Sequence, residues 1–180
     1  DQVSATKAYY RSTYALVFPK GKGLDDIKSS ADFLALGKDK IGKLRIGIYD
    51  RSPASEWLTK HGLIDSGVPY QIMNADPEQY PGDIIEKDLA AGKLDVAIVW
   101  GPIAGFFAKR VKTPALAVVP MKSEPGVRFD FQMAMGVRHG EREWKQQVET
   151  LLETKQADIR AILEEFGVPL VDESFSAQGR

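Results

Sequence analysis

The chain has 180 residues, 43% of them hydrophobic and 27% charged, with 24 Lys and Arg against 25 Asp and Glu and a formal net charge of -1. That balance argues against a nucleic-acid binder, which carries a basic excess or stripe, and no apolar run approaches the ~18 residues a membrane span needs. Cysteine is absent, which excludes thiol nucleophiles, thiolate metal sites and disulfide frameworks together.

Residues 9–18 are rich in aromatic and β-branched side chains and read as a strand, with Tyr10, Tyr14, Leu16 and Phe18 on one face. A short helix over 30–36 is stopped by Gly37. A strand at 44–49 then leads to a helix at 52–61, for which Ser52 is the expected N-cap and Pro53 the first helical residue. A strand at 68–73, a helix at 81–91, a strongly apolar strand at 94–100, a helix at 102–110 and a strand at 115–119 follow. Strands alternating with helices of about ten residues predict βαβ units, hence an α/β fold whose mainly parallel sheet is covered by helices on both faces. Beyond it, Phe129, Phe131, Met133, Met135 and Val137 alternate with polar or small residues, as in a half-buried strand. A helical region from 141 to 166 carries Trp144, Val148, Leu151, Leu152, Ile159, Ile162, Leu163 and Phe166 at three- and four-residue steps. The tail after Pro169 is expected to be frayed or ordered only by contacts.

In open α/β sheets ligands settle beyond the carboxyl ends of the strands, which here points to residues 50–55, 74–81 and 100–102. Ser52 and Ser55 at a helix start either present hydroxyls and N–H groups to an anion or merely cap the helix, and Asp50 would oppose an anion. Trp100, followed by Gly101 and Pro102, either floors a pocket or packs internally. Tyr9, Tyr10 and Tyr14 either line a cleft or fill the core. Arg11 interrupts an apolar strand, so it faces a carboxylate or lines an open groove. His61 and His139 precede glycines and read as helix-end and turn residues; Asp83, Glu86 and Asp88 read as a solvated helix face. No catalytic set, metal-ligand run or phosphate loop emerges from the spacing, so neither an enzyme nor a cofactor is expected.

The segments Tyr10-Arg-Ser-Thr-Tyr14, Lys20-Gly-Lys-Gly-Leu24, Gly47 before a Ser-rich helix start, and Leu89-Ala-Ala-Gly-Lys-Leu-Asp-Val-Ala-Ile-Val99 resemble type II periplasmic solute-binding proteins. So does Met135-Gly-Val-Arg-His-Gly-Glu-Arg-Glu-Trp144. Trp100-Gly-Pro-Ile-Ala-Gly-Phe-Phe-Ala-Lys-Arg110 and Ile162-Leu-Glu-Glu-Phe-Gly-Val-Pro-Leu170 are more particular and resemble the MoxJ/XoxJ branch, with a leaning to the XoxJ side. The resemblance implies a two-lobed architecture, most of one lobe lying outside this chain: 1–19 as a crossing strand from lobe 1, 20–125 as an α/β lobe 2, and 126–180 as the return strand and C-terminal helices of lobe 1. It also implies export to the periplasm; a mature exported chain has lost its signal peptide, and none is present at Asp1. Amino-acid-binding relatives carry an Asp where Trp100 stands, so a zwitterionic amino acid is not the expected ligand.

The resemblance implies a non-catalytic, chaperone-like periplasmic accessory protein that binds a methanol dehydrogenase dependent on pyrroloquinoline quinone (PQQ), of the lanthanide-dependent type, and assists its assembly or activation. Tyr10, Arg11, Tyr14, Ser52, Ser55, Trp100 and Pro102 are the candidate ligand- or partner-binding residues, with Phe106 and Phe107 as further apolar contacts. The alternative is a solute receptor delivering a small neutral or aromatic molecule to a transporter. The apolar face of 144–166, deprived of lobe 1, is expected to pack on another copy or be otherwise covered, since each large side chain left wet forfeits about 1.5–3 kcal/mol.

Overall fold

The structure, a computed structural model, describes residues 2–72, 76 and 78–171. A short β1 (Val3–Ala5) precedes β2 (Tyr10–Pro19), β3 (Ile46–Tyr49), β4 (Gly67–Tyr70), β5 (Val96–Trp100), β6 (Leu116–Pro120) and β7 (Asp130–Met133). These last six form one sheet in the order β4-β3-β5-β2-β6, with β7 also paired to β2. β3 is parallel to β4 and β5, whereas β2 runs antiparallel to β5, β6 and β7. The strands from β3 to β6 therefore share one direction, as the alternation of strands and helices predicts. The sheet as a whole is mixed, because β2 sits reversed between β5 and β6. β2 precedes the first β-α unit and reaches the sheet without a crossover helix, so the rule that aligns the others does not apply to it.

Successive side chains of β2 and β5 point to opposite faces, and both faces are covered. On one, Leu16, Phe18, Val96 and Ile98 pack with Phe33, Ile41, Trp57 and Leu58, contributed by α1 (Ser30–Leu34), α2 (Lys38–Ile41) and α3 (Pro53–Lys60). On the other, Ala15, Val17, Ala97 and Val99 pack with Ile84, Ile85, Leu89, Ala104 and Ala108. Gly47 permits close approach on that face: a Cβ there would lie 2.5 Å from Leu94 Cδ1.

Several elements differ from the sequence reading. The expected strand over 68–73 is β4, ending at Tyr70, and Met73 lies outside the described residues. The expected helix over 81–91 contains a π turn, Ile84–Leu89, in which the Ala90 N–H donates to Ile85 O. The wider winding places Ile84 and Leu89, five residues apart, on the buried face with Ile85. The carboxylates nearby are not a simply solvated face. Asp83 pairs with Lys87, Glu86 with Arg110 and Asp88 with Lys93; Tyr80 also donates to Glu86, and Tyr70 to Asp88.

The strand expected over 129–137 divides into β7 and β8 (Gly136–Arg138), and β8 pairs with β1, which no pattern announced. The helical region divides at Lys155 into α5 (Arg142–Thr154) and α6 (Gln156–Glu165). On these two helices only Leu152 is buried, while Trp144 is 54%, Leu151 59% and Ile162 54% exposed, with Phe166 just beyond them at 47%. The apolar face read from the sequence is thus present, and among the described residues it stays largely exposed. The tail is ordered by contacts through Val171: Leu170 bridges Ser12 and the Val171 N–H donates to Arg11 O at 3.0 Å.

Candidate functional site

Register brings two of the predicted residues together. Tyr14 and Trp100 are direct partners across β2 and β5, and their ring centroids stand 5.5 Å apart. Phe131 of β7 joins them, 5.8 Å from Trp100 and 6.5 Å from Tyr14. Phe129 is 6.0 Å from Tyr14 and forms the buried base of the group, while the other three rings stay half-buried. The Arg128 guanidinium lies 5.0 Å from the centroid of Phe131, within reach of a cation–π attraction. Burial raises the Tyr14 hydroxyl pKa, so the ring is a neutral donor at physiological pH. This aromatic group sits at the carboxyl end of β5, where α4 (Gly101–Arg110) begins with Trp100 as N-cap and Pro102 in its first turn.

Sequence reasoning missed Phe131 and Arg128 as parts of this group. Phe131 was legible as one of an alternating series, but its proximity to Trp100 depends on β7 pairing beside Tyr14, which periodicity does not specify.

Arg11 meets a carboxylate, one of its two expected fates. Its Nε donates to Asp130 Oδ2 at 2.8 Å, and its terminal nitrogen contacts the same oxygen. The Ser123 hydroxyl also donates to Asp130. Burial alone would raise the Asp130 pKa, but the Ser123 hydroxyl and Arg11 guanidinium outweigh it and leave the pKa lowered. Tyr10 stacks edge-on against Tyr9 at 5.1 Å and lines, with Arg11 and Arg160, a small cavity of about 120 Å³. It lies at the start of β2, four residues before Tyr14, the partner of Trp100, and is itself paired with Met133.

Ser52 occupies the N-cap of α3 as expected, yet its side chain makes no capping bond. Its hydroxyl donates to Tyr49 O at 2.6 Å, and the Ser55 hydroxyl donates to Ser52 O at 2.7 Å. Both serines therefore spend their donors on the turn from β3 into α3, where Arg51 takes a left-handed φ of 52°. Phe106 and Phe107 form a separate aromatic patch. Phe106 stacks on Phe166 at 5.5 Å, and Phe107 lies 5.7 Å from Tyr80.

His61 ends α3 as the sequence suggested and has a partner. Its Nε2 lies 2.8 Å from Glu124 Oε1, which also pairs with Lys60 at 2.7 Å. His139 is an exposed turn residue. Of segment 74–81, Asn74, Ala75 and Pro77 lie outside the described residues. Beside it, a cavity of about 670 Å³ is lined by Tyr49, Tyr70 and Tyr80. Burial, with the Asp83 charge second, pushes the Tyr49 pKa up to about 12. Cavities of about 570 and 680 Å³ lie on α5 and along β6. None of these three larger cavities is lined by Tyr14, Ser52, Ser55 or Trp100.

No family model matches the chain. Protein MoxJ of Methylorubrum extorquens (strain AM1) is 28% identical over 187 aligned positions, covering 94% of this chain and 59% of that protein. Protein MoxJ of Paracoccus denitrificans is 26% identical, over 97% of this chain and 65% of its own length. The chain thus spans less than two thirds of these curated relatives. The crystal structure of periplasmic binding protein XoxJ from Methylobacterium extorquens AM1 matches with a TM-score of 0.77 and 35% identity, over 95% of this chain and 74% of that one. The mixed sheet, its two helical layers and this identity agree with the motif-level resemblance, and the chain belongs to the type II periplasmic-binding-protein-like family of MoxJ and XoxJ.

Proposed function

We propose that this chain is part of a non-catalytic periplasmic accessory protein of methanol oxidation, which binds a PQQ-dependent methanol dehydrogenase of the lanthanide-dependent type and assists its assembly or activation. The observation that carries this reading is the half-buried aromatic group of Tyr14, Trp100 and Phe131 at the carboxyl end of β5. Its only close cation is Arg128, over Phe131, among the described aromatic contacts. Rings with an open side and an adjacent arginine suit a protein surface, where aromatic and arginine anchors dominate binding. A small-molecule site would instead surround its ligand in a cavity with converging polar groups.

The same reading treats residues 1–19 as the crossing strand, 20–125 as one lobe, and 126–180 as the return strand and helices of the other. Its support is that the buried residues of both core clusters lie within 15–129, taking in only Val127 and Phe129 of the last segment and leaving α5 and α6 outside. Within it, Tyr14 and Trp100 are the anchors, Pro102 fixes the helix start beside them, and Arg11 holds β2 to β7 through Asp130. Tyr10 supports the outer end of β2, and Ser52 and Ser55 shape the neighbouring turn.

A second reading, a receptor for a small neutral or aromatic solute, is favoured by the tyrosine-lined cavity of about 670 Å³. One titration separates the two. The full-length protein is added to apo and holo dehydrogenase, and binding and activation are measured. Binding weakened at least tenfold by Trp100→Ala supports the accessory role. If neither dehydrogenase form binds, while an aromatic metabolite raises the thermal midpoint with concentration, the receptor reading replaces it.

A further inference from the structure

Among the described residues β6 is the last strand of its sheet, so one of its long sides has no strand neighbour there. Its register against β2 decides which backbone groups turn outward. Lys20 N–H donates to Ala115 O at 2.9 Å, and Met121 N–H to Tyr14 O at 2.8 Å. Residues 115 and 121 therefore face β2. By the two-residue period of an antiparallel ladder, Leu116 and Val118 aim their N–H and C=O groups away from it. Among the described residues no partner is recorded for those groups in the loops around them.

That side opens into a groove of about 680 Å³, lined by the consecutive β6 residues Leu116, Ala117, Val118 and Val119. Lys20, Lys28 and Lys109 stand along it, against the single carboxylate of Asp25. The Asp25 oxygens accept from Gly21 N–H at 2.9 and 3.0 Å. Lys28 and Lys109 direct their ammonium groups to backbone carbonyls, Asp25 O and Glu165 O, and none of the three lysines is in a recorded ion pair among the described residues. The groove thus combines an unpaired strand edge, apolar walls and a surplus of positive charge.

We propose that the β6 edge is a docking site for an extended, acidic segment of a partner protein, which adds to the sheet as a further strand. The N–H and C=O groups of Leu116 and Val118 would supply the ladder, as in other cases of strand addition, and the lysines would select carboxylate side chains. This surface is separate from the aromatic group at Trp100, and the proposal stands whether or not the dehydrogenase is the partner.

The probe is a capped octapeptide alternating valine with aspartate or glutamate, titrated by fluorescence anisotropy and by amide chemical shifts. The expected result is saturable binding with shifts confined to residues 115–120 and their neighbours. Three changes should each weaken it at least tenfold: replacing the peptide's acids by lysine, N-methylating alternate peptide amides, and the joint variant Lys20→Gln, Lys28→Gln, Lys109→Gln. Val118→Pro, which removes one outward N–H without touching the β2 ladder, should do the same. The N-methylated peptide leaves the protein unaltered, so it tests the edge even if a variant folds poorly. Binding indifferent to N-methylation would mean charge attraction alone and overturn the proposal. No binding of the acidic peptide, or concentration-dependent pairing of two copies abolished by Val118→Pro, would overturn it too.

Discussion

The sheet with its two helical layers and the pair α5–α6 obey the same hydrophobic pattern but end in opposite states. In the first, alternate residues of β2 and β5 feed two packed clusters, and Trp57, Phe33 and Phe18 are essentially inaccessible. In the second, an equally regular apolar stripe leaves Trp144, Leu151 and Ile162 half exposed or more. Periodicity states which face of a helix seeks cover; it does not guarantee that the cover lies within the same chain.

The comparison is sharpest at two tryptophans. Trp57→Ala should destabilise by about 3–5 kcal/mol, since it empties the middle of the first cluster, whereas Trp144→Ala should change urea stability by no more than about 0.5 kcal/mol. Equal losses would break the distinction. A smaller effect is expected at the seam between the regions, where Asp130→Asn leaves the largely buried Arg11 without its counter-charge. A loss of about 2–4 kcal/mol follows, less than for a fully enclosed pair because the Arg11 side chain is 19% exposed. The pH dependence has a definite sign. The Asp130 pKa is lowered in the fold relative to 3.8, so its contribution is fully present above that value and fades as pH falls through the lower folded one. Acid titration of wild type and Asp130→Asn should converge there.

Gly105→Ala should cost about 1–3 kcal/mol by overpacking. A Cβ at Gly105 would fall 1.7 Å from Gly167 O, where the segment after α6 lies on α4. Hydrogen exchange in 167–171 should accelerate in this variant; unchanged protection would show that the segment is held by other contacts. A milder loss is expected from Glu124→Gln, about 1 kcal/mol, because Lys60 and His61 keep hydrogen-bonding partners while losing the charge. Burial opposes ionisation of Glu124, but the bonds from Lys60 and His61 prevail and lower its pKa below 4.5. This contribution too is present above that value and is lost as pH falls through the folded pKa.

Much of the site was legible in part. Trp100 could be placed at a strand's carboxyl end because the apolar run before it and Pro102 after it mark the boundary. Tyr14 was a candidate by alternation, but its contact with Trp100 required β2 to lie beside β5 in one register. Ser52 was rightly placed at the helix start, yet its hydroxyl turned back to Tyr49 O, a choice of rotamer that residue type leaves open. The π turn escaped notice because Ile84, Ile85 and Leu89 fit an ordinary amphipathic helix equally well.

By itself the sequence determined the α/β class, the common direction of the strands from β3 to β6 and the apolar stripe of α5–α6, because each follows from local spacing and short connections. Tertiary structure alone decided that β2 would enter reversed between β5 and β6, that β1 would pair with β8, and that Phe131 and Arg128 would join Trp100. Those outcomes depend on pairings between residues far apart along the chain, settled by which edges and faces fit once the parts assemble, and local periodicity carries no record of them.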